Sequence, residues 1–161
     1  HDVPASMPRT ALAHSPMKLT FSLDHLPDNA HLPVRCESLH CDAVGAGWRV
    51  ENAPFFVQDL AFGDLIEVTA KREDGEVLSW RHLSRSGHSN VWLIETQEAG
   101  AKSLVAALRG AGCLVEGMPQ LNLYSVDVPP TVSASTIDDL LSGARQAGVE
   151  VAYPAWRHPD E

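Results

Sequence analysis

The stretch that decides the fold is residues 90–154, NVWLIETQEAGAKSLVAALRGAGCLVEGMPQLNLYSVDVPPTVSASTIDDLLSGARQAGVEVAYP. It opens with Asn90–Glu95, an apolar run (Val91, Trp92, Leu93, Ile94) of strand length. Ala99–Ala111 then sets Leu104, Val105 and Leu108 on one helical face and stops at Gly110 and Gly112. Cys113–Glu116 and Leu121–Val128 read as two strands joined by a turn containing Gly117 and Pro119. Ser133 is placed to cap a second helix carrying Ile137, Leu140, Leu141 and Ala144 at helical spacing. Asp138 and Asp139 are expected near the positive N-terminal end of that helix. The helix is expected to end at Gly148, with Val149–Tyr153 the last strand before Pro154. The order βαββαβ predicts a ferredoxin-like subdomain over residues 89–154, followed by a short tail, 155–161.

Upstream the periodicity shortens to that of strands. Val34–Cys41 is a strand candidate, Gly45-Ala46-Gly47 a turn, and Trp48–Glu51 the start of the return strand. Pro54-Phe55-Phe56-Val57 reads as a buried connecting loop. Asp64–Ala70 and Glu76–Leu83 pair across Asp74-Gly75, whose glycine readily takes the positive φ of a hairpin turn. Residues 34–88 therefore predict a small antiparallel, barrel-like β subdomain. Residues 1–33 form an N-terminal extension too rich in proline for a long helix, with one alternating strand near 18–23. Met7 and Met17 are candidate native starts, which makes the first six or so residues expected additions. The whole is an α+β chain, with burial expected for Phe55, Phe56, Ile66, Val91, Leu93, Leu108, Val126 and Leu140.

Charge and composition narrow the function. Across 161 residues there are 21 acids and 12 bases, a net charge of −9. Residues 1–88 carry 12 acids and 8 bases, and residues 89–161 carry 9 and 4. With both halves negative, a phosphate-binding face is disfavoured, and nucleic acid is not an expected partner. No stretch approaches the run of about 20 apolar residues that a membrane span needs, and three cysteines expected as reduced thiols point to a cytoplasmic protein. The odd cysteine count (Cys36, Cys41, Cys113) argues against a disulfide framework. Cys36, His40 and Cys41 supply half of a zinc site, but no second pair follows at suitable spacing, so no metal is expected. Glycine-rich phosphate loops and a Gly-x-Ser-x-Gly elbow are missing, and neither a cofactor nor a catalytic residue is assigned.

The densest polar segment is Trp80-Arg-His-Leu-Ser-Arg-Ser-Gly-His-Ser89. Within it Arg85, Ser86, His88 and Ser89 are the candidate ligand-binding residues, expected at the junction of the two halves. An imidazole there can move a proton and a guanidinium can hold an anion. The structural alternative is a turn at Gly87 whose serines satisfy local backbone groups. A protein partner with a basic surface is the other expectation, met by exposed acids at Asp59, Asp64, Glu73, Asp74, Asp138 and Asp139.

The blocks Asn52-Ala-Pro-Phe-Phe-Val57, Ala61-Phe-Gly-Asp64, Arg85-Ser-Gly-His-Ser89 and Val126-Asp-Val-Pro-Pro130 occur in that order. Together they resemble a bacterial family, domain of unknown function 4265, from about Val34 to Tyr153. The resemblance implies a small bacterial protein of this layout and carries over no catalytic residue. The leading functional expectation is a non-enzymatic, antitoxin-like immunity protein that binds and neutralises a toxin. A small-ligand-binding regulatory module, or an enzyme, using the Arg85–His88 segment is the alternative.

Overall fold

The computed structural model describes residues 17–26 and 32–160. Residues 1–16 of the expected extension, and 27–31, lie outside them. Among the described residues the chain is α+β, with two predominantly antiparallel sheets and two helices, and it divides into two compact units. The first holds the described residues up to Asn52 together with Gly63–Arg85, and the second holds Ala53–Phe62 and the chain from Ser86 onward.

In the first unit β1 (Met17–Ser22), β2 (Cys36–Val44), β3 (Gly47–Val50), β4 (Leu65–Lys71) and β5 (Val77–Ser84) pair antiparallel in sequence. A single parallel bridge, Phe21 opposite Val77, joins β1 to β5 and closes the strands into a barrel. Alternation decides which side chains go inside. In β2, Glu37, Leu39 and Cys41 are buried while Cys36, Ser38 and His40 face out. Leu19, Phe21, Leu39, Val50, Ile66 and Val77 fill the interior, each worth about 2 kcal/mol of apolar burial. Gly45 (φ +58) makes the turn into β3, and Gly75 (φ +95) makes the expected hairpin from β4 to β5.

The second unit runs β6 (Ser89–Glu95), α1 (Lys102–Gly110), β7 (Leu114–Met118), β8 (Leu123–Val128), α2 (Ala134–Leu141) and β9 (Val149–Ala155). Its sheet has the order β7-β8-β6-β9, with every neighbouring pair antiparallel. Val91, Leu93, Val126 and Val149 of the sheet pack with Val105, Leu108, Ile137 and Leu141 of the helices into one core. Ser133 caps α2 as expected, its hydroxyl accepting the Thr136 N–H at 3.1 Å.

Several details differ from the sequence reading. Phe55 and Leu140 are only half-buried, whereas the other six expected core residues are buried. Helix α2 is eight residues long with no acid in its first turn, so Asp138 and Asp139 lie past the N-terminal turn and their placement there is corrected. Gly117 belongs to β7 rather than to a turn. A Cβ on it would sit 3.0 Å from the Tyr124 ring, so glycine admits that ring. The turn is made instead by a short 3-10 segment, Pro119–Leu121, and by Asn122 at φ +54.

Candidate functional site

Strand β8 carries an anomaly for an apolar strand: Asp127, 2% exposed, between Val126 and Val128. Both valines point into the helix-covered core, so alternation turns Asp127 to the opposite face. There its Oδ1 lies 2.7 Å from Nδ1 of His88, which directly precedes β6. A carboxylate accepts only, so His88 donates through Nδ1–H, and in the neutral ring Nε2 is left as the lone-pair acceptor. That nitrogen has no hydrogen-bond partner among the described residues. His88 is 22% exposed at its side chain, and the Phe62 ring stands beside it with centroids 5.2 Å apart. Burial pushes the Asp127 carboxyl above its ordinary value, against the opposing pull of the His88 hydrogen bond.

The neighbouring residues hold this pair in place. Ser86 Oγ donates to the Phe62 carbonyl at 2.6 Å and accepts the His88 N–H at 3.2 Å, which shapes the turn. Gly87 fits closely against Pro130, where a Cβ would come within 3.2 Å of the proline ring. Ser89 is fully buried. Its hydroxyl pairs with His158 Nδ1 at 2.6 Å and accepts the Arg157 N–H at 2.7 Å. His158 Nε2 faces the Pro129 carbonyl at 2.9 Å and must donate to it, so Nδ1 accepts from Ser89. Ser89 is thus a structural clasp on the chain's last residues, with no exposed hydroxyl for chemistry.

The sequence-predicted site is therefore partly assembled. Ser86, His88 and Ser89 belong to one cluster in the second unit, while Arg85, an exposed residue, closes the first unit. Two members were not anticipated as site residues. Asp127 was legible as a charge inside an apolar strand. His158 had no local signal, since it falls in the stretch read as a tail.

Another histidine of the same segment is also matched to an aspartate. His82 Nε2 lies 2.9 Å from Asp64 Oδ2 in the first unit. Asp64 is 0% exposed, which corrects its expected place among solvent-facing acids. Asp59, Glu73, Asp74, Asp138 and Asp139 are exposed. Asp59, at φ +60, also has its carboxylate 3.8 Å from Arg157. Cys36 and His40 face solvent while Cys41 is turned inward, so strand alternation takes Cys41 away from the other two residues of the half zinc motif. Among the described residues no group of three or more His, Cys, Asp or Glu is gathered to hold a metal ion.

The family model for Domain of unknown function (DUF4265) matches residues 37–152. The chain belongs to this family. Its blocks now have structural roles in this DUF4265 chain. The Pro54 carbonyl receives Asn90, Trp92 and Ser125, the Gly63-Asp64 block holds His82, and the 85–89 and 126–130 blocks meet at His88–Asp127 and Gly87–Pro130. No curated protein matches the sequence. Among solved structures, a hypothetical protein from Neisseria gonorrhoeae superposes with a TM-score of 0.65 at 19% identity, covering 88% of this chain and 96% of that one. At that identity the likeness is one of fold.

Proposed function

We propose that this protein is a binding module that takes a small hydrogen-bond-donating or anionic ligand at His88. The observation that carries this reading is the His88–Asp127 pair: a buried carboxylate fixes one ring nitrogen and leaves the other as an acceptor beside Phe62. A buried acid costs stability unless it is paired, and a plain turn at this position needs neither group. A neutral His88 accepts an N–H or O–H, and a protonated one holds an anion. The strand order β7-β8-β6-β9 with two intervening helices supports reading the second unit as ferredoxin-like, following a small barrel. Three free cysteines, one of them exposed, support a cytoplasmic setting.

The test is to titrate histidine-labelled protein with fractionated bacterial metabolites and follow the imidazole nitrogens by NMR. A binding fraction should move the His88 Nε2 resonance and leave His25 and His40 in place. His88→Gln should lose retention of that fraction, read by equilibrium dialysis, with the thermal midpoint within a few degrees of the parent. If no fraction moves His88, or if His88→Gln unfolds the domain, the pair is structural and the proposal fails.

A second reading, a protein partner with a basic surface, is supported by the exposed acids Glu73 and Asp74 at the β4–β5 turn and Asp138 and Asp139 on α2. An immunity protein capturing a basic toxin is the form of it that we favour.

A further inference from the structure

Along α1 runs a groove of about 490 Å³, lined by Lys102, Val105, Ala106 and Arg109 of the helix, Tyr124 of β8 and Glu95 at the end of β6. It is separate from the His88 site. Ser89 pairs with Val128 at one end of the β6–β8 ladder, and Ile94 pairs with Leu123 at the other, where the groove lies. Its volume falls within the usual range for small-molecule sites. Positions 102, 105, 106 and 109 form one helical stripe, with the two cations about 10 Å apart along the axis.

The charge at this groove runs against the rest of the molecule. From residue 89 onward the only cations are Lys102, Arg109, Arg145 and Arg157. Arg145 lies 3.9 Å from Glu150, and Arg157 lies 3.8 Å from Asp59. Lys102 and Arg109 both line the groove, and neither pairs with a carboxylate among the described residues. Arg109 spends one N–H on the Val115 carbonyl at 2.8 Å, which fixes the guanidinium and leaves its other donors available. Glu95 is the one acid in the lining, and its Oε2 already accepts the Ala101 N–H at 3.0 Å. Two cations and one acid give the groove a formal charge of +1 in a chain of −9. The lining between them is apolar and of low relief: Val105, the methyl groups of Ala99 and Ala106, and the Tyr124 ring.

We propose that this groove binds a flat aromatic monoanion. The ring system lies against Tyr124 and Val105 over the two alanines, and the anionic group is held by the Lys102 ammonium and the remaining guanidinium donors of Arg109.

The probes are 8-anilino-1-naphthalenesulfonate and its uncharged counterpart N-phenyl-1-naphthylamine, titrated into the full chain by fluorescence and by amide NMR. The sulfonate should saturate at one equivalent, with amide shifts confined to residues 99–109 and Tyr124. Lys102→Glu should weaken the sulfonate by about tenfold or more, a loss of one close ionic contact, while leaving the naphthylamine nearly unchanged. Ala106→Trp, which fills the groove from an exposed position, should weaken both probes. The proposal is overturned if the sulfonate does not saturate, if the shifts map elsewhere, if Ala106→Trp leaves both probes bound, or if Lys102→Glu affects the two probes alike.

Discussion

Asp127 is the residue whose chemistry departs furthest from its surroundings, and its titration gives a direct test. Burial raises its carboxyl pKa above the ordinary carboxylate value, against the opposing pull of the His88 hydrogen bond. An acid whose folded pKa exceeds the unfolded one holds its proton more tightly when folded, so ionisation works against the fold. Its contribution is most favourable below about pH 4 and is lost as pH rises from there through the folded pKa. Asp127→Asn keeps an oxygen to accept the His88 Nδ1–H and removes the ionisation. The thermal midpoint of the parent should therefore fall relative to that of Asp127→Asn as pH climbs from 4, measured as midpoint against pH for both proteins. A gap that stays constant with pH would refute the account. The cysteines offer a second residue-scale test. Burial pushes Cys41 up to about 12 and Cys113 up to about 11, whereas Cys36 is exposed. A thiol at 12 is about one ten-thousandth thiolate at pH 8, and the thiolate is the reactive form. Iodoacetamide at pH 8 should alkylate Cys36 alone in the native protein and all three cysteines in denaturant, read by peptide mass. Rapid native labelling of Cys41 or Cys113 would contradict the buried placement.

Among the elements, the loop at residues 53–62 is the one whose role the sequence left half-written. Pro54-Phe55-Phe56-Val57 was legible as a buried connection because apolar residues follow a proline. What it packs on was not, because the contacts come from residues more than thirty positions away. The Pro54 carbonyl accepts Asn90 Nδ2 at 2.9 Å, Trp92 Nε1 at 2.8 Å and Ser125 Oγ at 2.7 Å. Those donors sit on the sheet face opposite the helices, since Val91, Leu93 and Val126 point the other way. Strands and helices were legible because each follows from a local period of two or 3.6. The His88–Asp127 pair was half legible: the histidine stood in a polar block, and its acid lay 39 positions on. Three donors on one carbonyl compete for two lone pairs, so removing one should cost less than an unshared bond. Ser125→Ala and Trp92→Phe should each lower stability by about 1 kcal/mol or less. The double variant should lose protection from hydrogen exchange across 53–62, read by mass spectrometry. Unchanged exchange in the double variant would show that the apolar contacts of Phe56 and Val57 hold the loop without the carbonyl.

Over the whole molecule, charge is the property that bears most directly on encounters with another protein, and the acids are now sorted by position. Asp64 is buried against His82 and takes no part. Asp59 has Arg157 nearby. Glu73, Asp74, Asp138 and Asp139 are exposed, and none of the four has an ion-pair partner among the described residues. Carboxylates left in water meet a basic partner without a large desolvation cost, and their long-range field acts mainly on the rate of encounter. At physiological ionic strength the screening length is about 8 Å, and it shortens as salt is added. Association with a basic partner encoded by a neighbouring gene should therefore slow as salt rises, while dissociation changes little. Reversing Glu73 and Asp74 to lysine should flatten that dependence at a cost of about 1 kcal/mol in stability, because Asp74 Oδ1 accepts the Glu76 N–H at 3.0 Å in the turn. The same double reversal at Asp138 and Asp139 tests the α2 face independently. The measurement is stopped-flow association across a salt series for the parent and both double variants. If the parent's association rate is flat with salt, charge does not steer the encounter, and if no neighbouring gene product binds at all, the immunity reading is lost.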